Sequence, residues 1–181
     1  MNNIDFIKTA IKDYKIGALT SSSKYVVNDI ANALRPEDKY VVEYGAGDGV
    51  ITKGILARLP SDGRLIALEL NEDFIKELKK ISDPRLMILE KDVREVVQDP
   101  KRIGLPRIDV VVSGIPFTLF NPEVRERIIE DTHHMLSPNG LFVVYQYSPL
   151  VFPILKKIFA EVKLSFEPRN FLPYFIMRAR K

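Results

Sequence analysis

Five runs, at residues 39–44, 64–70, 85–90, 108–113 and 141–147, are dominated by Val, Ile and Leu. That density predicts strands covered on both faces rather than half-wet ones. Between them, residues 50–58, 72–80, 93–98 and 122–136 read as amphipathic helices. Asn121 before Pro122 reads as a cap followed by proline at the first helical position. Strand and helix in this alternation predict a parallel sheet wrapped by helices. The ends depart from the rhythm. Residues 3–14 and 22–34 predict two helices ahead of the first strand. After the fifth strand come a proline-containing apolar segment at 150–159 and two short strands, 161–166 and 174–179. The stretch joining that pair is short, so they are expected to form an antiparallel hairpin. The fold class is therefore α/β, with five parallel strands closed by a hairpin.

Composition narrows this picture. The 181 residues suit one domain, taken as 1–20 for an N-terminal helix or lid and 21–181 for a catalytic core. There are no cysteines, which excludes disulfides, thiolate zinc sites, iron–sulfur clusters and a cysteine nucleophile. A formal charge of +3 permits an anionic partner without selecting one. The first ten residues lack a signal peptide's long apolar run. Residues 135–155 are uncharged and long enough to span a bilayer. Pro138, Asn139, Gly140, Pro149 and Pro153 break that stretch, so a turn, a buried strand and a loop explain it better. His133 and His134 follow Glu130 and Asp131, but their spacing is poor for a metal.

The strongest local signal is Glu43-Tyr44-Gly45-Ala46-Gly47-Asp48-Gly49, between the first strand and a helix. Glycines there allow a sharp turn and close approach of a ligand to the backbone. A dinucleotide fingerprint would need glycine where Val50 stands. Glu69, followed by Leu70, ends the second strand, where a carboxylate can accept both hydroxyls of a ribose. Asp92 and Val93 end the third, where an acid can accept from an adenine amino group. Each feature alone also fits a structural turn or a solvated loop acid. Together they fall at three successive strand ends, which face one cleft.

On these motifs the chain, from about residue 22 onward, resembles the class I S-adenosylmethionine-dependent methyltransferases. The resemblance implies a Rossmann-like seven-stranded, mostly parallel sheet with helices on both faces and a C-terminal antiparallel hairpin. It implies S-adenosylmethionine as cofactor, with S-adenosylhomocysteine as product. Cofactor contacts are then expected from Glu43, Tyr44, Gly45, Ala46, Gly47, Gly49, Glu69, Leu70, Asp92, Val93 and Ser113.

The fourth strand ends Ser113-Gly114-Ile115-Pro116-Phe117. In adenine methyltransferases the related motif reads Asn-Leu-Pro-Tyr: an amide and a backbone carbonyl hold the amine while the aromatic stacks on the base. Gly114 has no side-chain acceptor, and Phe117 replaces the tyrosine. Ser-Gly-Ile-Pro is closer to the Ser-Gly-Leu-Pro of bacterial phospholipid N-methyltransferases. The stretches Lys15 to Ser22, Val144 to Pro149 and Arg169 to Pro173 resemble further segments of that family, with Thr20 where proline is usual and Phe171 inserted.

Methyl transfer to nitrogen needs a neutral, aligned amine and calls for no metal. Ser113, Gly114, Ile115 and Pro116 are the expected reaction loop, with Tyr14 and Tyr145 orienting the amine. An anionic head group would need donors. Thr20, Ser21, Ser22 and Lys24 at a helix start, with Arg169, Phe117 and Tyr147, are the substrate candidates, although serines there can equally be plain caps. Ile4, Ile7, Ile11 and Tyr14 share one helical face beside Lys8, Lys12 and Lys15, which suits either membrane adsorption or a lid over the cleft. Leu150, Val151, Phe152 and Phe159 offer a second greasy contact or core. Arg178, Arg180 and Lys181 read as a solvated tail.

The expectation is a monomeric, cytoplasmic N-methyltransferase at the inner face of the membrane, acting on a phospholipid or aminolipid amine. The alternatives are an RNA adenine methyltransferase, a small-molecule amine methyltransferase, and a non-catalytic cofactor-binding domain.

Overall fold

The computed structural model describes residues 22–99, 103–170 and 172–181. The predicted helix over 3–14, and with it Tyr14, Thr20 and Ser21, lies outside the described residues. The elements run α1 (Lys24–Ala31), β1 (Tyr40–Tyr44), α2 (Val50–Leu56), β2 (Arg64–Leu68), α3 (Glu72–Leu78), β3 (Leu86–Leu89), α4 (Val93–Gln98) and β4 (Val110–Ser113). A 3₁₀ turn at Phe117–Leu119 leads into α5 (Pro122–Met135), then β5 (Leu141–Gln146), α6 (Phe152–Ile158), β6 (Glu161–Glu167) and β7 (Tyr174–Arg180).

The seven strands form one sheet in the order β3-β2-β1-β4-β5-β7-β6. β1 to β5 are parallel, and β7 runs antiparallel to both β5 and β6. The central strands are buried along their whole length, as their unbroken apolar runs require. One face packs Val26 and Ile30 of α1 and Ile51 and Ile55 of α2 against Val41, Val110, Val143 and Ile176. The other packs Val96, Ile128, Ile129 and Leu155 of α4, α5 and α6 against Val42, Val111, Phe142 and Met177. The chain order reverses beside β1, which lies between β2 and β4. In such sheets a ligand crevice opens at the carboxyl ends of the strands at that point.

Two expectations need correction. The 150–159 segment is mostly the helix α6, which begins with Pro153 in its first turn. Val151 and Phe159 are core, while Leu150 keeps 41% of its surface exposed. Nor do the last residues trail into solvent. β7 lies between β5 and β6, so its polar positions meet neighbouring elements. Arg178 pairs with Asp29 of α1, Arg180 donates to the Asn139 carbonyl, and Lys181 donates to the carbonyls of His134 and Leu136. Among the described residues, no helix is long and apolar enough to cross a membrane.

Candidate active site

The loop from β1 to α2 alternates left-handed glycines: Gly45, Gly47 and Gly49 have φ of 70°, 56° and 78°. L residues disfavour that region, which is why glycine recurs at every second position. A Cβ at Gly49 would also lie 2.9 Å from Ile81 Cδ1. The loop is tied to the neighbouring strand, with Gly45 N–H and Ala46 N–H both donating to the Leu68 carbonyl at 2.9 and 3.2 Å. Tyr44 contributes only backbone here. Its ring is fully buried and its hydroxyl reaches Thr132 Oγ1 at 3.2 Å, on the face away from α2; burial raises its pKa.

Glu69 closes the loop from the side. Its Oε2 accepts from Gly47 N–H at 2.8 Å, and its Oε1 accepts from Leu70 N–H and Asn71 N–H at 2.8 and 2.9 Å. Leu70 itself is 43% exposed. Asp92 caps α4 through Arg94 N–H at 2.8 Å and holds the Arg94 guanidinium at 2.6 Å, so its carboxylate is engaged within its own turn. Val93 beside it is buried.

Glu43 lies beneath the loop, fully buried, with Oε2 accepting from Thr52 Oγ1 at 2.7 Å and Oε1 without a partner. Desolvation pushes its pKa up to about 8; the Thr52 hydrogen bond opposes this, and the negative charges of Glu69 and Asp48 add to it. Ser113 Oγ, at the end of the adjacent β4, is also buried without a partner. These orphaned atoms lie at the ends of neighbouring strands on opposite faces of the sheet, and the one on Glu43, beneath the glycine turn, fits a polar ligand seated there.

The loop after β4 is held by hydrogen bonds from α5 and to β1. Arg125 of α5 donates to the carbonyls of Phe117 and Phe120 at 2.9 and 2.8 Å. Gly114 N–H donates to the Tyr44 carbonyl at 2.9 Å. Ile115 and Pro116 are half-buried at its tip, and Ile115 leans on the core. The structure does not bring the Phe117 ring to the cleft surface, since it is fully buried in the core beside α5. Across the loop, Tyr145 of β5 meets Tyr174 edge-on with ring centroids 5.9 Å apart, and Tyr174 stacks on Tyr147 at 5.9 Å.

Of the predicted substrate residues near the two chain ends, the described Lys24 and Arg169 meet at the Tyr25 ring. Ser23, rather than Ser21 or Ser22, caps α1, and its own N–H donates to Asn170 Oδ1 at 2.7 Å. Ser22 hydrogen-bonds Tyr174, whose pKa is raised chiefly by burial. Lys24 Nζ lies 5.4 Å from the Tyr25 ring centroid, and the Arg169 guanidinium stacks on the same ring at 4.0 Å while pairing with Glu167 at 2.7 Å. Sequence reasoning missed Thr52, Tyr25, Asn170 and Tyr174. Thr52 lies nine residues beyond Glu43, on the helix that folds back over β1, and that spacing was readable. The other three become visible only once the hairpin register is known.

Among the described residues, no group of His, Asp and Glu could hold a metal ion. Residues 41–140 match the family model described as a methyltransferase domain. The chain is 33% identical to the ornithine lipid N-methyltransferase of Singulisphaera acidiphila over 162 residues, spanning 87% of this chain and 84% of that protein. It is 28% identical to a probable ribosomal RNA small subunit methyltransferase A of Methanospirillum hungatei, over 54% of this chain and only 36% of that one. In fold it is similar to the 1,6-didemethyltoxoflavin-N1-methyltransferase of Burkholderia thailandensis, solved with S-adenosylhomocysteine. That match has a TM-score of 0.71 and 19% identity, and covers 98% of this chain and 85% of the other. The strand order, the glycine turn with its acids and these likenesses agree: the chain belongs to the class I S-adenosylmethionine-dependent methyltransferases.

Proposed function

We propose that this enzyme methylates the amine of a lipid head group at a membrane surface. When bound, S-adenosylmethionine supplies an electrophilic methyl on a sulfonium. The residues of the site suit the rest of that molecule. The partnerless Oε1 of Glu43 suits a cationic amino group, and the turn from Gly45 to Gly49 admits close approach to backbone. Glu69 suits a ribose. A carboxylate has about four lone-pair sites, and Glu69 already accepts three N–H groups, so binding two hydroxyls would release the Gly47 N–H. Val93 and the backbone beside Asp92 suit the adenine.

The observation that carries the acceptor class is the loop after β4. A nucleobase methylated at this position needs a side-chain acceptor and a stacking ring. Here Gly114 supplies no side chain and Phe117 is buried. An aliphatic amine needs neither. The lipid is supported by the likeness to a lipid N-methyltransferase along most of both chains. Lys24 and Arg169, gathered around Tyr25 at the start of α1, suit the anionic part of such a head group.

The test is transfer of a radiolabelled methyl group from S-adenosylmethionine to phosphatidylethanolamine or ornithine-lipid vesicles, to total RNA, and to small soluble amines. Label in the lipid phase is expected. Label confined to RNA or to a soluble amine would overturn the lipid reading.

A further inference from the structure

Gly114 is small for a reason that the structure displays. A Cβ built on it would overlap the Tyr145 hydroxyl oxygen, and would lie 2.7 Å from Tyr145 Cζ and 3.3 Å from the Gly45 carbonyl oxygen. The space that a side chain at position 114 would take is therefore filled from β5. It borders both the reaction loop and the glycine turn. The rest of the loop offers little else. From Ser113 to Phe117 only Ser113 has a polar side chain. Ser113 pairs with Tyr44 in the strand register and is fully buried. Tyr44 packs on the face carrying α4, α5 and α6, whereas Tyr145 belongs to the opposite face with α1 and α2.

We propose that the Tyr145 hydroxyl takes the place of the missing side chain at Gly114 and is the hydrogen-bond acceptor that holds the acceptor amine in line. A phenol oxygen can accept from an amine N–H while donating its own proton elsewhere. Held this way, the neutral nitrogen directs its lone pair at the methyl carbon. The N–C bond forms as the C–S bond breaks, the bonding pair returns to sulfur, and the ammonium so formed loses a proton to water. Tyr145 is also braced. Its ring is 8% exposed and set edge-on to Tyr174, which stacks on Tyr147. Aromatic walls of this kind favour a cation that gains methyl groups. The arrangement thus suits an aliphatic amine, whose acceptor comes from β5 while the ring at position 117 stays buried.

This inference rests on the lipid-amine reading, and the experiment separates the two. Wild type, Tyr145→Phe and Gly114→Ala are compared on phosphatidylethanolamine and on ornithine-lipid vesicles, with S-adenosylhomocysteine affinity and melting temperature measured alongside. Tyr145→Phe removes one oxygen. It is expected to lower kcat about a hundredfold, as loss of a single preorganised polar contact does, with KM and S-adenosylhomocysteine affinity little changed. Gly114→Ala puts a methyl where the hydroxyl sits and is expected to lose kcat similarly with the hydroxyl still present. If Tyr145→Phe keeps kcat within twofold of an active wild type, or loses it only in step with cofactor affinity or folding, the tyrosine's role is overturned and the lipid reading stands. A wild type that methylates no amine lipid overturns both.

Discussion

Glu43 shows how a single residue ties the site to the fold. Its carboxyl is fully buried beside Thr52, and burial raises its pKa from 4.5 to about 8. A carboxyl whose folded value is raised binds its proton more tightly when folded. Its contribution to stability is complete below about pH 4.5 and is lost as pH rises through 8. Glu43→Gln keeps the shape and removes the titration. Chemical denaturation from pH 4 to pH 9 is expected to show the wild type losing stability relative to Glu43→Gln by roughly 1 kcal/mol per pH unit inside that window. Parallel curves would show that the carboxyl stays ionised in its burial site. The identity of this acid, the glycines after it and Glu69 were legible in the sequence because they lie at strand ends that apolar periodicity marks out. Their hydrogen bonds were not. Asp92 illustrates the limit: its place at a strand end was legible, but its bonds to Arg94 two residues on were not.

At the scale of elements, packing between neighbours decides what the pattern left open. The parallel strands and the helices after them were legible because full burial leaves continuous apolar runs. The apolar segment after β5 was ambiguous between core and surface contact, since a short helix buried on one side has the same composition. Helix α1 is held at both its ends by distant residues: Asn170 at Ser23 and Arg178 at Asp29. No local pattern predicts partners roughly 150 residues away. Its close seat on α2 depends on Gly54, where a Cβ would lie 2.5 Å from Val27 Cγ1. Gly54→Ala gains helix propensity but overpacks that contact, and overpacking costs about 1–3 kcal/mol. A drop in melting temperature is expected, and Gly54→Ala with Val27→Ala should recover most of it. A single variant as stable as wild type would mean the two helices separate without cost.

For the whole molecule, the order of strands brings the glycine turn, the Gly114 loop and the three tyrosines to the same end of one sheet. The hairpin of β6 and β7 does more than complete the sheet. Tyr174, Arg169 and Asn170 carry it against the start of α1, where the cations Lys24 and Arg169 gather. Cofactor chemistry was legible in the chain because its motifs are local. The loop after β4 and Tyr145 were also named from the chain, but the contact between Tyr145 and Gly114 was not, because it forms only after β4 and β5 pair. Mass spectrometry of the lipids is the decisive measurement for methylation of a lipid amine at this site. Purified enzyme and S-adenosylmethionine are incubated with phosphatidylethanolamine and ornithine-lipid vesicles, and the extracted lipids are fragmented. A gain of one or more methyl groups located on the head-group nitrogen is expected. Lipids unchanged in mass, while the same preparation methylates another substrate, would contradict it.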